Sequence, residues 1–302
     1  MTNINFPDSP TDNQVFGERK YNATKGVWEW YVLPGDTTAA DLLGPGQSLG
    51  YDVEVLVVAG GGSGAFYNAN GPGAGGGGGY LEGNLLLDSG VSYEITVGAG
   101  GPSKSTNSVG ANGTSSSFSG ALAIGGGGGG FVGAGVSGGS GGGGGNNGPG
   151  GSGTQANSFG LTGFGNDGAD SGDGGAGGGG GGAGAAGGTS GLISPIRSNG
   201  GAGRESSISG SATTYATGGS YTFTLRPAQP QDGAPNTGDG GDCDYQAVSG
   251  AGGSGVVIFK ISSNAAVSFG PGLVEANGGS GQTVGDYKVY TVTAGTGTVT
   301  IS

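Results

Sequence analysis

Four runs of five or six consecutive glycines, at residues 75–79, 125–130, 141–145 and 177–182, restrict what this chain can build. A glycine run has no side chains to bury, and it loses more backbone freedom on ordering than any other sequence. Collagen needs glycine at every third position with abundant proline. Here the runs break that period, and proline totals only 12 in 302 residues. A flexible linker needs no apolar strands at its ends, yet Val-Leu-Val-Val and Val-Val-Ile-Phe frame this body. A third option fits better than either, with irregular loops as its alternative: an extended threefold helix of polyglycine II type, rising about 3.1 Å per residue. Its N–H and C=O groups point outward in three directions, so neighbouring helices can bond laterally and satisfy buried backbone without an apolar core. Six glycines in this form cross roughly 19 Å. Turns between runs are expected at 146–149 (Asn-Asn-Gly-Pro) and 166–168 (Asn-Asp-Gly). An oligomer, most simply a trimer, would support such a lattice.

Around the glycine body the pattern is β. Residues 1–50 read as a small β module and linker, with short strands at 14–16 and 19–21 and an aromatic strand at 27–33. A single short helix is expected at 37–43, started by threonine and stopped by Gly44-Pro45. Residues 51–262 form the glycine-rich body, opened by a strand at 51–58 that turns apolar on both faces and closed by a strand at 255–261. Segments 92–97 and 220–225 also have strand character. Residues 263–302 read as a C-terminal β-hairpin region, with strands 287–293 and 297–301 flanking Ala294-Gly-Thr. The fold class is all-β.

Several chemistries are excluded at once. No histidine is present, so no Ser-His-Asp or Cys-His set and no His-ligated metal can form. Cys243 is the lone cysteine, and its neighbours Asp242 and Asp244 would raise its pKa rather than activate it. The net charge of −12 makes nucleic acid and anionic membranes poor partners. The first seven residues lack the basic and apolar segments of a secretory signal. The longest apolar runs, such as 55–59, are too short to span a bilayer, so no membrane insertion is expected.

Ordered phrases carry a family likeness: Val53-Glu-Val-Leu-Val-Val-Ala-Gly-Gly-Gly62, Tyr93-Glu-Ile-Thr-Val-Gly-Ala-Gly-Gly101 and Gly252-Gly-Ser-Gly-Val-Val-Ile-Phe259. Together they resemble the glycine-rich domain of tail-fibre and other virion proteins of tailed bacteriophages, marine ones in particular. Ile4-Asn-Phe-Pro-Asp-Ser-Pro-Thr11, with Trp28-Glu-Trp30, is similar to a small β module of such particles. The resemblance implies a virion protein on the tail or capsid surface. Its N-terminal module would attach to other virion proteins. Its polyglycine scaffold would present loops to a host cell-surface glycan or protein, as a tail fibre or adhesin. A capsid decoration or fibre protein without receptor specificity is the alternative, and a non-enzymatic role is expected.

Candidate sites follow from residue types. Val55 to Ala65 imitates a dinucleotide-binding glycine fingerprint, but the helix that must follow is replaced by Phe66-Tyr-Asn-Ala-Asn-Gly-Pro-Gly. Asp167, Asp170 and Asp173 lie three residues apart, as in calcium-binding glycine-aspartate repeats, and could offer oxygen ligands to Ca²⁺. One copy of the pattern favours a solvated turn over a calcium site, because such repeats stack in series. Asp239, Asp242 and Asp244 form a second acidic cluster. Phe66 and Tyr67, Phe159 and Phe164, and Ile196 and Arg197 are the large residues of three loops in the glycine body. Each is either local packing or a recognition tip. Trp28 and Trp30 are either the core of the N-terminal module or a docking surface for a virion partner. A flat ice- or glycan-surface binder would need regular Thr or Asn along the runs, which the glycine blocks lack.

Overall fold

A computed structural model describes residues 15–16, 19–22, 27–30 and 50–302, apart from 70, 173–174, 190–196, 223–229 and 245–247. The chain divides into two compact units, 1–49 and 50–302. In the first, β1 (Val15–Phe16), β2 (Arg19–Asn22) and β3 (Val27–Trp30) form an antiparallel meander. The helix expected at 37–43 lies outside the described residues.

The second unit opens with β4 (Gly50–Val58), β5 (Tyr80–Asp88), β6 (Ser92–Thr96), β7 (Ser116–Phe118), β8 (Ala121–Ala123) and β9 (Thr162–Phe164). Five short strands follow: β10 (Arg197–Ser198), β11 (Arg204–Ser206), β12 (Thr213–Tyr215), β13 (Tyr221–Thr222) and β14 (Cys243–Asp244). The unit ends with β15 (Val256–Ser262), β16 (Val267–Phe269), β17 (Leu273–Glu275), β18 (Gln282–Val284) and β19 (Tyr287–Ile301). The main sheet runs β8-β7-β6-β19-β15-β4-β5-β9, with β16, β17 and β18 also paired to β19. It curls into a nearly closed, barrel-like wall, because β7 and β8 at one end lie against β4, β5 and β15. The fold is all-β, with no α-helix among the described residues.

Alternation decides which way each strand faces. Val53, Val55 and Val57 of β4 and Val257, Phe259 and Ile261 of β15 point into the curl. There the Phe259 ring stacks on Phe118 at 5.5 Å and on Tyr290 at 5.0 Å. Leu56, Val58, Val256 and Ile258 point the other way and build a second core with Tyr80, Ile208 and Tyr215. The sequence thus needs β4 and β15 apolar on both faces, and they are.

The C-terminal hairpin expectation is corrected: residues 287–301 form one continuous strand. Its first half pairs with β15, β17 and β18, and its second half with β6 and β16. The Ala294-Gly-Thr segment continues the strand rather than turning, and a bulge at Thr293 precedes it. Gly295 takes φ +98 there, and the register with β17 shifts at Val274/Glu275. The extra residue inverts the alternation, so Tyr290 and Val292 before it and Val299 and Ile301 after it all reach the same core.

The glycine segments stand on this sheet. Residues 59–65 leave β4 and 71–79 return to β5, and equivalent excursions follow β6, β8 and the later strands. These segments are neither helix nor strand, yet their backbone is densely bonded. Run 73–79 shows the rule. Its N–H groups at 73, 76 and 79 donate to Gly130, Gly127 and Ile124, those at 74 and 77 to Gly178 and Gly181, and those at 75 and 78 to Gly241 and Gly238, all at 2.7–3.1 Å. Its carbonyls at 73, 76 and 79 accept from Ala65, Gly62 and Ala59, those at 74 and 77 from Gly143 and Ser140, and that at 75 from Gly219. Partners therefore rotate with a period of three, and six neighbouring runs surround this one. Run 140–145 obeys the same period, donating at 140 and 143 to Gly77 and Ala74, at 141 and 144 to Asn166 and Ala169, and at 142 and 145 to Val136 and Gly133.

Only glycine fits such spacing. A Cβ on Gly76 would fall against the carbonyls of Ser140 and Gly141, one on Gly127 against Val136, and one on Gly142 against Gly128. All three lie nearer than the 3.0 Å that real Cβ atoms essentially never breach. Backbone bonding here takes the place of a side-chain core.

Candidate functional site

The perimeter of the lattice explains the acidic residues. On outer runs some N–H groups meet an aspartate side chain of the adjoining run in place of a backbone carbonyl. Asp170 Oδ1 accepts from Gly150 N at 2.9 Å and Asp167 Oδ1 from Gly153 N at 2.8 Å. Asp239 Oδ1 accepts from Thr217 N at 2.8 Å and Asp242 Oδ1 from Ser220 N at 2.7 Å. Carboxylates three residues apart thus serve N–H groups three residues apart, the same period at which runs 73–79 and 140–145 exchange partners. Asp167 and Asp170 are engaged as lattice acceptors, and Asp173 lies outside the described residues. The turn expected at 166–168 is corrected. Asn166 O and Ala169 N bond to neighbouring runs, so the segment is itself a run. Asn146 and Asn147 do form a turn, at φ +39 and +68.

Burial pushes the Asp242 carboxyl above its ordinary range, against the lowering effect of its backbone bonds. Burial also drives the Cys243 thiol well upward, helped by Asp242 and Asp244, while its Sγ donates to Pro72 O at 3.1 Å. That thiol is a packing group, as its neighbours in the sequence suggest.

A polar cluster sits on the outer face of β5. Arg204 ion-pairs with Glu82 at 3.0 Å and lies 3.5 Å over the Phe164 ring. Tyr80 donates its hydroxyl to Glu82 Oε2 at 2.6 Å, and burial foremost raises the Tyr80 pKa. Glu54, Glu82, Asn84, Ser206 and Ile208 line a shallow depression of about 200 Å³. Both glutamates in it are held by cations, since Lys260 meets Glu54 at 3.0 Å.

The large loop residues separate into distinct places. Phe66 and Tyr67 lie where run 59–65 ends, at the end of the lattice away from the sheet. Phe66 exchanges backbone bonds with Ser108 at 3.2 Å, joining loops 66–69 and 102–109. Tyr67 meets the Phe131 ring edge-on at 4.7 Å, joining loop 131–134. Phe159 is instead at the sheet end, 69% exposed at φ +52, with its ring against Gly120. Phe164 is packed beneath Arg204 and against Tyr80, not presented as a tip. Arg197 is exposed at the start of β10, and Ile196 lies outside the described residues. Trp28 and Trp30 pair with Tyr21 and Arg19 in the register of β3 against β2.

Sequence reading missed Phe131, whose ring meets Tyr67, and Asn107, which bonds the neighbouring Asn68. A signal was present: Phe131 ends a six-glycine run as Phe66 ends its own.

A family model described as a glycine-rich domain matches residues 46–262. The chain belongs to the glycine-rich domain family. The matched span of this glycine-rich domain starts just before β4 and ends with β15, so it takes in the excursions and the two strands that frame them. No curated protein matches the sequence.

Proposed function

We propose that the chain is a bacteriophage virion structural protein, a tail fibre or adhesin that presents loops for host-surface recognition on a scaffold of polyglycine II helices. The three-residue rotation of hydrogen-bond partners supports the helix type, because a threefold helix directs every third N–H to the same side. The ordered phrases of the sequence analysis support the virion setting. The observation that carries the recognition role is the joining of loops 66–69, 102–109 and 131–134 at the lattice end opposite the sheet. A bonded lattice holds such loops on a rigid support, the arrangement that recognition favours. Residues 1–50 would attach to other virion proteins, and a homo-oligomer, most simply a trimer, would share the load.

The test is adsorption. Purified protein added before infection should lower the rate of phage attachment, and labelled protein should decorate host cells. Labelled protein that ignores the cells refutes the recognition role. Antibody against residues 51–262 that labels the head and spares the tail would move the protein to capsid decoration.

A further inference from the structure

The geometry points to an uncharged glycan as the ligand of the loop end, gripped between the Tyr67–Phe131 pair and the Asn107 carboxamide. This rests on the recognition role proposed above and names its chemistry. Three excursions that are remote in sequence supply the parts. Tyr67 and Phe131 form an edge-to-face pair at 4.7 Å, both half-buried, so each ring is held in place with part of its surface open. Val132 beside them is 53% exposed. On the adjoining loop, Asn107 Oδ1 accepts from Asn68 N at 3.1 Å and its Nδ2 donates to Asn68 Oδ1 at 3.0 Å. That exchange uses one of the two Asn107 amide hydrogens and fixes the plane of the group.

A sugar ring has an apolar C–H face and an edge of hydroxyls. A fixed aromatic ring receives the first, and an oriented carboxamide donates to the second. Charge selects among glycans. In loops 66–69, 102–109 and 131–134 the single charged residue is Lys104, although the chain carries −12 overall. An acidic polysaccharide meets the field of the whole protein and finds one cation at the loops. An uncharged one meets no such barrier.

The full chain is tested by saturation-transfer NMR and by binding to immobilised polysaccharides, one neutral hexose series and one acidic series. Neutral glycans should bind. Tyr67→Ala and Phe131→Ala should each weaken binding at least about tenfold, as expected of anchor rings. Asn107→Ala should weaken it several-fold, and Val274→Ala, on the exposed face of β17, should leave it unchanged. The side chains truncated here are not among the atoms that crowd the glycines, so hydrogen exchange in the lattice should match the parent and exclude misfolding. Affinity should change less than about twofold between low and high salt, because no ion pair is screened. Binding confined to acidic glycans, binding that collapses with salt, or binding indifferent to Tyr67→Ala and Phe131→Ala overturns the inference. If the protein blocks adsorption and periodate-treated cells still take it up while protease-treated cells do not, the ligand is a protein. The glycan inference then fails and the adhesin reading stands. If the protein neither blocks adsorption nor binds cells, the adhesin reading itself fails.

Discussion

Replacing Gly76 by alanine tests the claim that backbone contact, and not flexibility, is why glycine is used. The new methyl would lie 2.6 Å from Gly141 O and closer still to Ser140 O, whereas ordinary contact begins at 3.4 Å. Run 140–145 must therefore retreat by about 1 Å. Two bonds tie it to run 73–79: Ser140 N to Gly77 O at 3.0 Å and Gly143 N to Ala74 O at 2.8 Å. A buried N–H left unpaired costs about 1–3 kcal/mol, so the two N–H groups of these bonds, at Ser140 and Gly143, cost roughly 2–6 kcal/mol together. Alanine lowers unfolded-chain entropy and returns about 0.4–1 kcal/mol. The net loss is about 2–5 kcal/mol, a large part of the roughly 5–15 kcal/mol that holds a typical domain. Gly278 is the control. It takes φ +65 with nothing near its missing side chain, so Gly278→Ala costs only about 1–2 kcal/mol of left-handed strain. Asparagine should recover part of the loss at 278 but not at 76. Both tryptophans lie in residues 1–49, so denaturation must be followed by amide hydrogen exchange or circular dichroism rather than tryptophan emission. A Gly76→Ala protein within about 0.5 kcal/mol of the parent would refute the close-contact reasoning.

Further outcomes follow from the perimeter and the outer face. Asp167→Ala orphans Gly153 N and should cost about 1–2 kcal/mol, whereas Asp167→Asn keeps the acceptor and should cost little. A calcium chelator should leave the parent's melting temperature unchanged, since Asp167 and Asp170 hold backbone. Asp242 is raised by burial, so the folded chain holds that proton to higher pH than the unfolded chain. Its stabilising share is complete below the usual carboxylate range and is lost as pH rises through the raised value. Asp242→Asn should therefore melt above the parent near neutral pH, with the gap closing in acid. Arg204→Ala removes a ring contact and a half-exposed ion pair, for about 1–2 kcal/mol in denaturant titration. High salt should remove only the ion-pair part of that loss.

Some of this molecule is written locally and some is not. Alternating or doubly apolar strands at 53–58 and 256–261 fix their own faces, because strand periodicity is a property of adjacent residues. Glycine runs likewise announce that backbone must meet backbone. The three-residue spacing of Asp167 and Asp170, and of Asp239 and Asp242, was equally visible, but two physical causes share it. Metal ligands and backbone acceptors can both repeat at three, and the partners at Gly153, Gly150, Thr217 and Ser220, which show these carboxylates accepting from backbone, are not adjacent in sequence. Strand β5 escaped notice because Gly83 and Asn84 interrupt its pattern, and pairing with β4 along its whole length supplies what propensity lacks. Ala294-Gly-Thr has the composition of a turn, and its use as strand after a bulge at Thr293 was decided by β17 on one side and β6 on the other. The meeting of Tyr67, Phe131 and Asn107 was decided in the same way. Their segments lie up to 64 positions apart in sequence, and only the lateral bonding of runs without side chains brings those loop ends to one place.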